Sequence, residues 1–283
     1  MCRFYTAGEI SPVEEHNLRH LYTSVVLAPR FILSPEVWCE ALAHLTARIF
    51  NYYIEYMNSS EHREFKDLIF EQFARIGRAL SHPKRLEILD LLAQAERTVE
   101  EIARETAMPV ANASQHLQVL KAARMLEVRR EGLYAHYRLA DEGVFRAWRA
   151  VRDLGEARLA EVDRVVEAYL KDRETMEAVD AVELMERLAD EGVVVLDVRP
   201  EEEYRAGHVP GALSVPVSSL EAALQALPKD KEIVAYCRGP YCVFSDEAVA
   251  FLKSRGYRAS RLTEGFPEWR DAGFPIEANR RVS

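Results

Sequence analysis

Cysteine is scarce in this chain: four residues in 283, namely Cys2, Cys39, Cys237 and Cys242. A disulfide-framed secreted module would carry more, and in a reducing compartment a thiol stays reduced unless it does chemistry, so a purely structural bridge is disfavoured. Cys2 and Cys39 have no partners at ligand spacing, and Cys237 and Cys242 lack the further Cys or His that zinc would want, so neither a metal nor another cofactor is expected. Long apolar runs are also missing: no stretch of about 18 uncharged apolar residues could cross a membrane, and no basic region followed by a clean apolar run opens the sequence. The expectation is a soluble, cytoplasmic protein without a membrane partner. Positive charge is lacking overall, the formal net charge being −9, which argues against a protein that coats nucleic acid everywhere.

A total conceals local asymmetry. Between Ala111 and Arg138 five cations (Lys121, Arg124, Arg129, Arg130, Arg138) face two anions (Glu127, Glu131), whereas residues 178–278 hold eleven cations against eighteen anions. The middle of the chain is basic and its C-terminal part acidic. With 48% hydrophobic residues there is core enough for two domains.

Residues 1–56, rich in aromatics, show no motif and read as an extension of unknown role, ahead of a unit spanning 57–150; protein made from Met57 onward is expected to fold and dimerise like the full chain. From Leu68 the apolar residues Leu68, Ile69, Phe73, Ile76 and Leu80, then Leu86, Leu89 and Leu92, recur at three and four, which predicts two amphipathic helices with Pro83 at the start of the second. Thr98 and Glu101 form a capping box opening "TVEEIARETA", and a turn at Met108-Pro109 leads to "ANASQHLQVLKAARML". Two short helices across a tight turn predict a helix-turn-helix. "EVRREGLYAHYRL" then reads as strand interrupted by Glu131-Gly132, a β-hairpin that turns at the glycine and forms a wing. A recognition helix needs small polar side chains near its N-terminus for base edges, offered by Asn112, Ser114, Gln115 and Gln118. It also needs cations for phosphates, offered by Arg129, Arg130 and Arg138. One long helix is expected from about Asp141 to Lys171. Its stripe of Val144, Trp148, Val151, Val162, Val166 and Tyr169 suggests a partner helix in a homodimer, with 151–177 serving as dimerisation helix and linker.

From Asp180 helix and strand alternate. "VVVLDV" and "EIVAYC" read as buried strands and "SDEAVAFLKSRG" as the helix leaving the second, which predicts an α/β domain with a parallel sheet over 178–283. Cys237 falls at a strand end and the loop to Cys242 runs to a helix start, where α/β folds place their ligands. The fold class expected is therefore multidomain: a mainly α winged helix-turn-helix followed by an α/β domain.

"ALSHPKRLEILDLL", "TVEEIARE" and "SQHLQVLKAARMLEVRREG" resemble the ArsR family of winged-helix repressors over residues 66–150. The resemblance implies a homodimer on a palindromic double-stranded operator, released by an inducer. The family's metal-sensing members carry Cys on the first helix of the motif, or acidic and His ligands on the last helix. Thr98–Glu105 holds no Cys and Asp141–Lys171 no His. His116 reads as a packing position of the family's "HL" pair.

"VVLDVRPEEEYRAGHVPGALSVP", "VAYCRGPYC" and "LTEGFPEWRDAGFPIE" resemble a single rhodanese domain over residues 178–278. That resemblance implies sulfur transfer from a donor such as thiosulfate or polysulfide through a persulfide on Cys237, with Arg238 and Cys242 in the surrounding loop and Asp197 and Arg199 ordering it. His208, Gly211 and Trp269 match structural positions. A loop of backbone N–H groups leading to a helix lowers a thiol pKa from about 8.5, and Arg238 is expected to add positive charge for an anionic donor. The phosphatases that use a similar cradle need an arginine six positions after the cysteine, where this chain has Val243. Cys242 replaces the small hydroxyl of many rhodaneses, and is expected to be a resolving thiol. The functional expectation is a DNA-binding repressor whose operator affinity responds to reactive sulfur or oxidant at Cys237. The alternative is a sulfurtransferase enzyme with an autoregulatory DNA-binding domain.

Overall fold

The structure, a computed structural model, describes residues 46, 47, 50, 51, 60–170, 176–189 and 192–278. The expected N-terminal extension, apart from four residues, and positions 171–175 of the linker lie outside these. The chain divides into two compact units, 1–71 and 72–283, and the second holds the helix-turn-helix, the wing and the α/β part.

Helix α1 (Ser60–Leu80) follows the predicted three-and-four spacing. The chain then turns at Ser81-His82, and the His82 ring accepts the Lys84 N–H at 3.1 Å to cap α2 (Pro83–Gln94), whose first residue needs no hydrogen bond because proline has no N–H. Strand β1 (Arg97–Thr98) runs into α3 (Val99–Glu105), where the capping box closes: Glu101 N–H donates to Thr98 Oγ1 at 3.3 Å and Thr98 N–H to Glu101 Oε2 at 2.7 Å. A turn through Ala107, at φ 50°, leads to α4 (Val110–Ala122). Ile102 and Ala103 of α3 and Ala113, Leu117 and Leu120 of α4 share one core with Ile88, Leu89 and Leu92 of α2. That shared core fixes the angle of the two-helix motif.

Strands β2 (Leu126–Glu131) and β3 (Tyr134–Leu139) form the wing, and β1 pairs with β3 to give a three-stranded antiparallel sheet. The hairpin turns at Gly132, as expected, with Leu133 as the second turn residue, and Gly132 has φ 59°, the left-handed geometry glycine adopts without steric cost. The single long helix of the sequence reading is two: α5 (Glu142–Arg158), capped by Asp141, and α6 (Ala160–Tyr169), separated at Leu159 in an extended conformation. Gly155, one turn earlier, lowers helix propensity where the break occurs.

The α/β part runs β4 (Ala178–Val179), α7 (Ala181–Ala189), β5 (Val193–Asp197), α8 (Glu201–Ala206), β6 (Leu213–Ser214), α9 (Leu220–Ala223), β7 (Glu232–Tyr236), α10 (Phe244–Ser254), β8 (Ala259–Leu262) and α11 (Phe266–Asp271). The sheet is parallel, in the order β4-β8-β7-β5-β6. Alternate residues of the central strand β7 face opposite cores, Ile233 and Ala235 toward Val249 and Leu252 of α10, Val234 and Tyr236 toward Leu184 and Trp269. Burial on both faces explains the unbroken apolar runs in β5 and β7. It also places Cys237 at the carboxyl end of the central strand.

Candidate functional site

On the helix-turn-helix, Asn112, Gln115 and Gln118 of α4 are exposed and Ser114 half-buried. The half-buried His116 ring lies 4.4 Å from that of His82, and burial, followed by the neighbouring His82 and Arg85, holds its pKa below the usual imidazole value. That is the packing role expected of it. The three wing arginines differ. Arg129 donates to Glu96 at 2.5 Å and to Glu131 at 2.7 Å, and Arg138 pairs across the strands with Glu127 at 2.6 Å, so both are more occupied than the sequence reading supposed. Arg130 is exposed and makes no ion pair among the described residues. Exposed pairs of this kind are held weakly, so a phosphate can displace the carboxylates.

In the α/β part Cys237, 2% exposed, and Cys242 are joined by a disulfide with their Cα atoms 6.3 Å apart, inside the roughly 4.4–6.8 Å that such bonds span. The loop between them is held from beneath. Phe266 N–H donates to Cys237 O at 3.1 Å, and Cys242 N–H to Gly239 O at 3.1 Å. Gly265 passes so close that a Cβ there would sit 2.4 Å from the backbone of Arg238 and Gly239, which only glycine permits. Asp197 and Arg199 are fully buried and form a two-pronged pair: Nη2 lies 2.6 Å from Oδ2 and Nε 3.0 Å from Oδ1. Tyr236 O–H donates to Asp197 at 2.5 Å, and Arg199 also donates to Gly207 O at 2.7 Å and lies over the Phe266 ring. Burial and the Asp197 carboxylate push the Tyr236 phenol well above its ordinary pKa, so it remains a donor. His208 stacks on Tyr204, Gly211 has φ 71°, and Trp269 is wholly buried.

The loop is only partly open to solvent: Tyr241 is exposed, and Arg238, Gly239, Pro240 and Cys242 are half-buried. Arg238 donates to Glu203 of α8 at 2.5 Å and to Glu105, the last residue of α3, at 2.8 Å. Burial alone would lower its pKa, but Glu203 and Glu105 more than offset this, and the guanidinium stays protonated. Arg97, 4% exposed, bridges the same two carboxylates. Gln94, at the end of α2, donates from Nε2 to Arg238 O at 2.8 Å and accepts from Arg199 at 3.3 Å. Around this centre Arg152 of α5 reaches Glu268 at 2.7 Å, Arg149 reaches Asp271 at 2.6 Å, and Tyr241 O–H donates to Glu156 at 2.6 Å. The expected role of Arg238 as an open cation thus meets a competitor: it ties the cysteine loop to the helix-turn-helix. Gln94, Arg97, Glu105, Arg152, Glu156 and Glu203 escaped sequence reasoning, because charged or amide side chains in amphipathic helices read as solvated.

Residues 180–272 match the rhodanese-like domain family, and residues 80–129 match a helix-turn-helix domain family. The HTH-type transcriptional regulator Rv0324 of Mycobacterium tuberculosis is 43% identical over 217 residues, 77% of this chain and 95% of the relative. A sulfurtransferase of Allochromatium vinosum is 36% identical over 102 residues, 35% of this chain and 94% of the relative. Among solved structures, a homodimeric winged helix-turn-helix DNA-binding domain from Mycobacterium bovis shares 46% identity over 33% of this chain and 87% of its own, with a TM-score of 0.32.

Proposed function

This chain belongs to the family of HTH-type transcriptional regulators in which an ArsR-type winged helix is joined to a rhodanese-like domain, and we propose that it is a repressor that reads the sulfur or redox state of Cys237. It binds a palindromic operator as a homodimer through α4 and the wing. Val151 and Leu154 of α5 and Val165 and Tyr169 of α6, all exposed, supply apolar surface for the second subunit. When Cys237 takes a sulfane sulfur or is oxidised, Cys242 resolves it to the disulfide, and the operator is released.

One observation carries this reading: Arg238, the neighbour of Cys237, lies 2.8 Å from Glu105 at the end of the first helix of the DNA-binding motif. A change in the loop has a direct route to the element that supports α4. The coupling required is modest, since a tenfold fall in affinity corresponds to about 1.4 kcal/mol, within the usual range for linked sites. Contacts from α2, α3 and α5 surround the loop and hinder a macromolecular acceptor, which favours sensing over turnover for its own sake.

The test is an operator titration of reduced protein and of protein treated with hydrogen polysulfide, using a DNA site selected from a random pool. Treated wild type should bind about tenfold more weakly, and Cys237→Ser should bind equally before and after treatment. Equal binding by treated and reduced wild type, with the Cys237–Cys242 link verified by mass spectrometry, would defeat the proposal.

A further inference from the structure

A cavity of about 290 Å³ opens beside Cys242, between the cysteine loop and the helix-turn-helix part, with Asp90, Glu105, Arg152, Arg238 and Tyr241 among its walls. Cys242 and Arg238, the neighbour of Cys237, line it, so a sulfur donor entering here meets these groups before Cys237. Both cations on the wall are ion-paired, although Arg152 Nε makes no hydrogen bond among the described residues. Arg238 is shared by Glu203 and Glu105, and Arg152 is bound to Glu268 at 2.7 Å with Asp153 and Glu156 each 3.6 Å from its Nε. Glu87, also on the wall, is held by Lys84 at 2.8 Å. Asp90 accepts from the Trp148 indole at 3.0 Å, and burial raises its pKa. The wall offers an incoming dianion no cation outside an ion pair.

We infer that the donor class this site selects is a short sulfane-sulfur species of low charge, a hydrogen disulfide or polysulfide, and not the thiosulfate dianion. The inference rests on the proposed reading of Cys237 as the reactive thiol. With the low-charge donor the Cys237 thiolate attacks one sulfur of HS–SH, the S–S bond breaks, and HS⁻ leaves, giving the Cys237 persulfide. The Cys242 thiolate then attacks the Cys237 sulfur and expels the outer sulfur as a second HS⁻. Two thiols are oxidised by two electrons, and HS–SH is reduced to two equivalents of sulfide. With thiosulfate the departing group is sulfite, and its developing charge needs positive groups that the wall has already committed. Glu105 is therefore a specificity-determining residue: it occupies the guanidinium that would otherwise stabilise an anionic donor and leaving group.

The experiment uses the reduced full chain without oxygen, mixed with equal concentrations of thiosulfate or hydrogen polysulfide. Timed samples are quenched with an alkylating reagent, and the peptide containing Cys237 and Cys242 is weighed. Polysulfide should modify Cys237 at least about tenfold faster, the effect of about 1.4 kcal/mol in the barrier. Glu105→Gln should narrow that gap by speeding the thiosulfate reaction. Equal rates with the two donors in wild type would overturn the inference, as would an unchanged thiosulfate rate in a folded Glu105→Gln variant. The wild-type comparison stands alone if the variant does not fold. Failure of both donors to modify Cys237 would remove the reactive-thiol reading itself, an outcome distinct from a donor preference that is absent.

Discussion

Gln94 shows how much one side chain settles in this protein. It is 1% exposed, and its amide is used at both ends, as donor to the Arg238 carbonyl and as acceptor from Arg199. Replacing it with alanine would leave that carbonyl and one Arg199 N–H without their partner in a buried place, at a cost of about 1–3 kcal/mol for each group left unpaired. Because Arg199 keeps Asp197 and Gly207, the lower end is expected. Gln94→Ala should therefore lower the urea midpoint with an unchanged denaturant slope; a midpoint equal to that of wild type would show that the amide is idle. Asp197 and Arg199 were named in sequence through the rhodanese resemblance, and in the structure they form a buried two-pronged ion pair. Gln94 was not legible, because a glutamine near the end of an amphipathic helix has no local feature that marks it as buried.

At the scale of elements, α3, α4 and the wing were readable because their signals are local. The Thr98–Glu101 box needs four consecutive residues, and the helices need only their own apolar spacing. The break at Leu159 was not readable, since Gly155 is tolerated in many helices and the apolar stripe continues across it. The wing turn was readable from Gly132, which takes the left-handed position. Gln115 and Arg130 are both exposed, and the proposed DNA-binding face assigns them different roles. Gln115→Ala should reduce discrimination between the selected site and single-base variants, where one base contact is worth about 1–3 kcal/mol. Arg130→Ala should weaken binding to all sequences alike and flatten the salt dependence by about one unit. Equal losses on selected and random DNA for both variants would show that Gln115 does not read bases.

In the whole molecule, the two folds were legible one at a time and their junction was not. The elements of each fold are signalled by local patterns and repeated spacing, whereas Arg238 and Glu105 are 133 positions apart and carry no local signal of their meeting. Nothing in a sequence distinguishes a charge that will find a distant partner from one that remains in water. The junction is nonetheless where the account makes its claim: the state of Cys237 and Cys242 reaches the DNA-binding helices through Arg238 and Glu105. The most direct test is to measure operator affinity for reduced and disulfide-linked protein, in wild type and in Glu105→Gln, with the linkage counted by mass spectrometry in every sample. The account predicts that the ratio of the two affinities, about tenfold in wild type, falls toward one in Glu105→Gln although the disulfide still forms. A ratio in Glu105→Gln equal to that in wild type would contradict it.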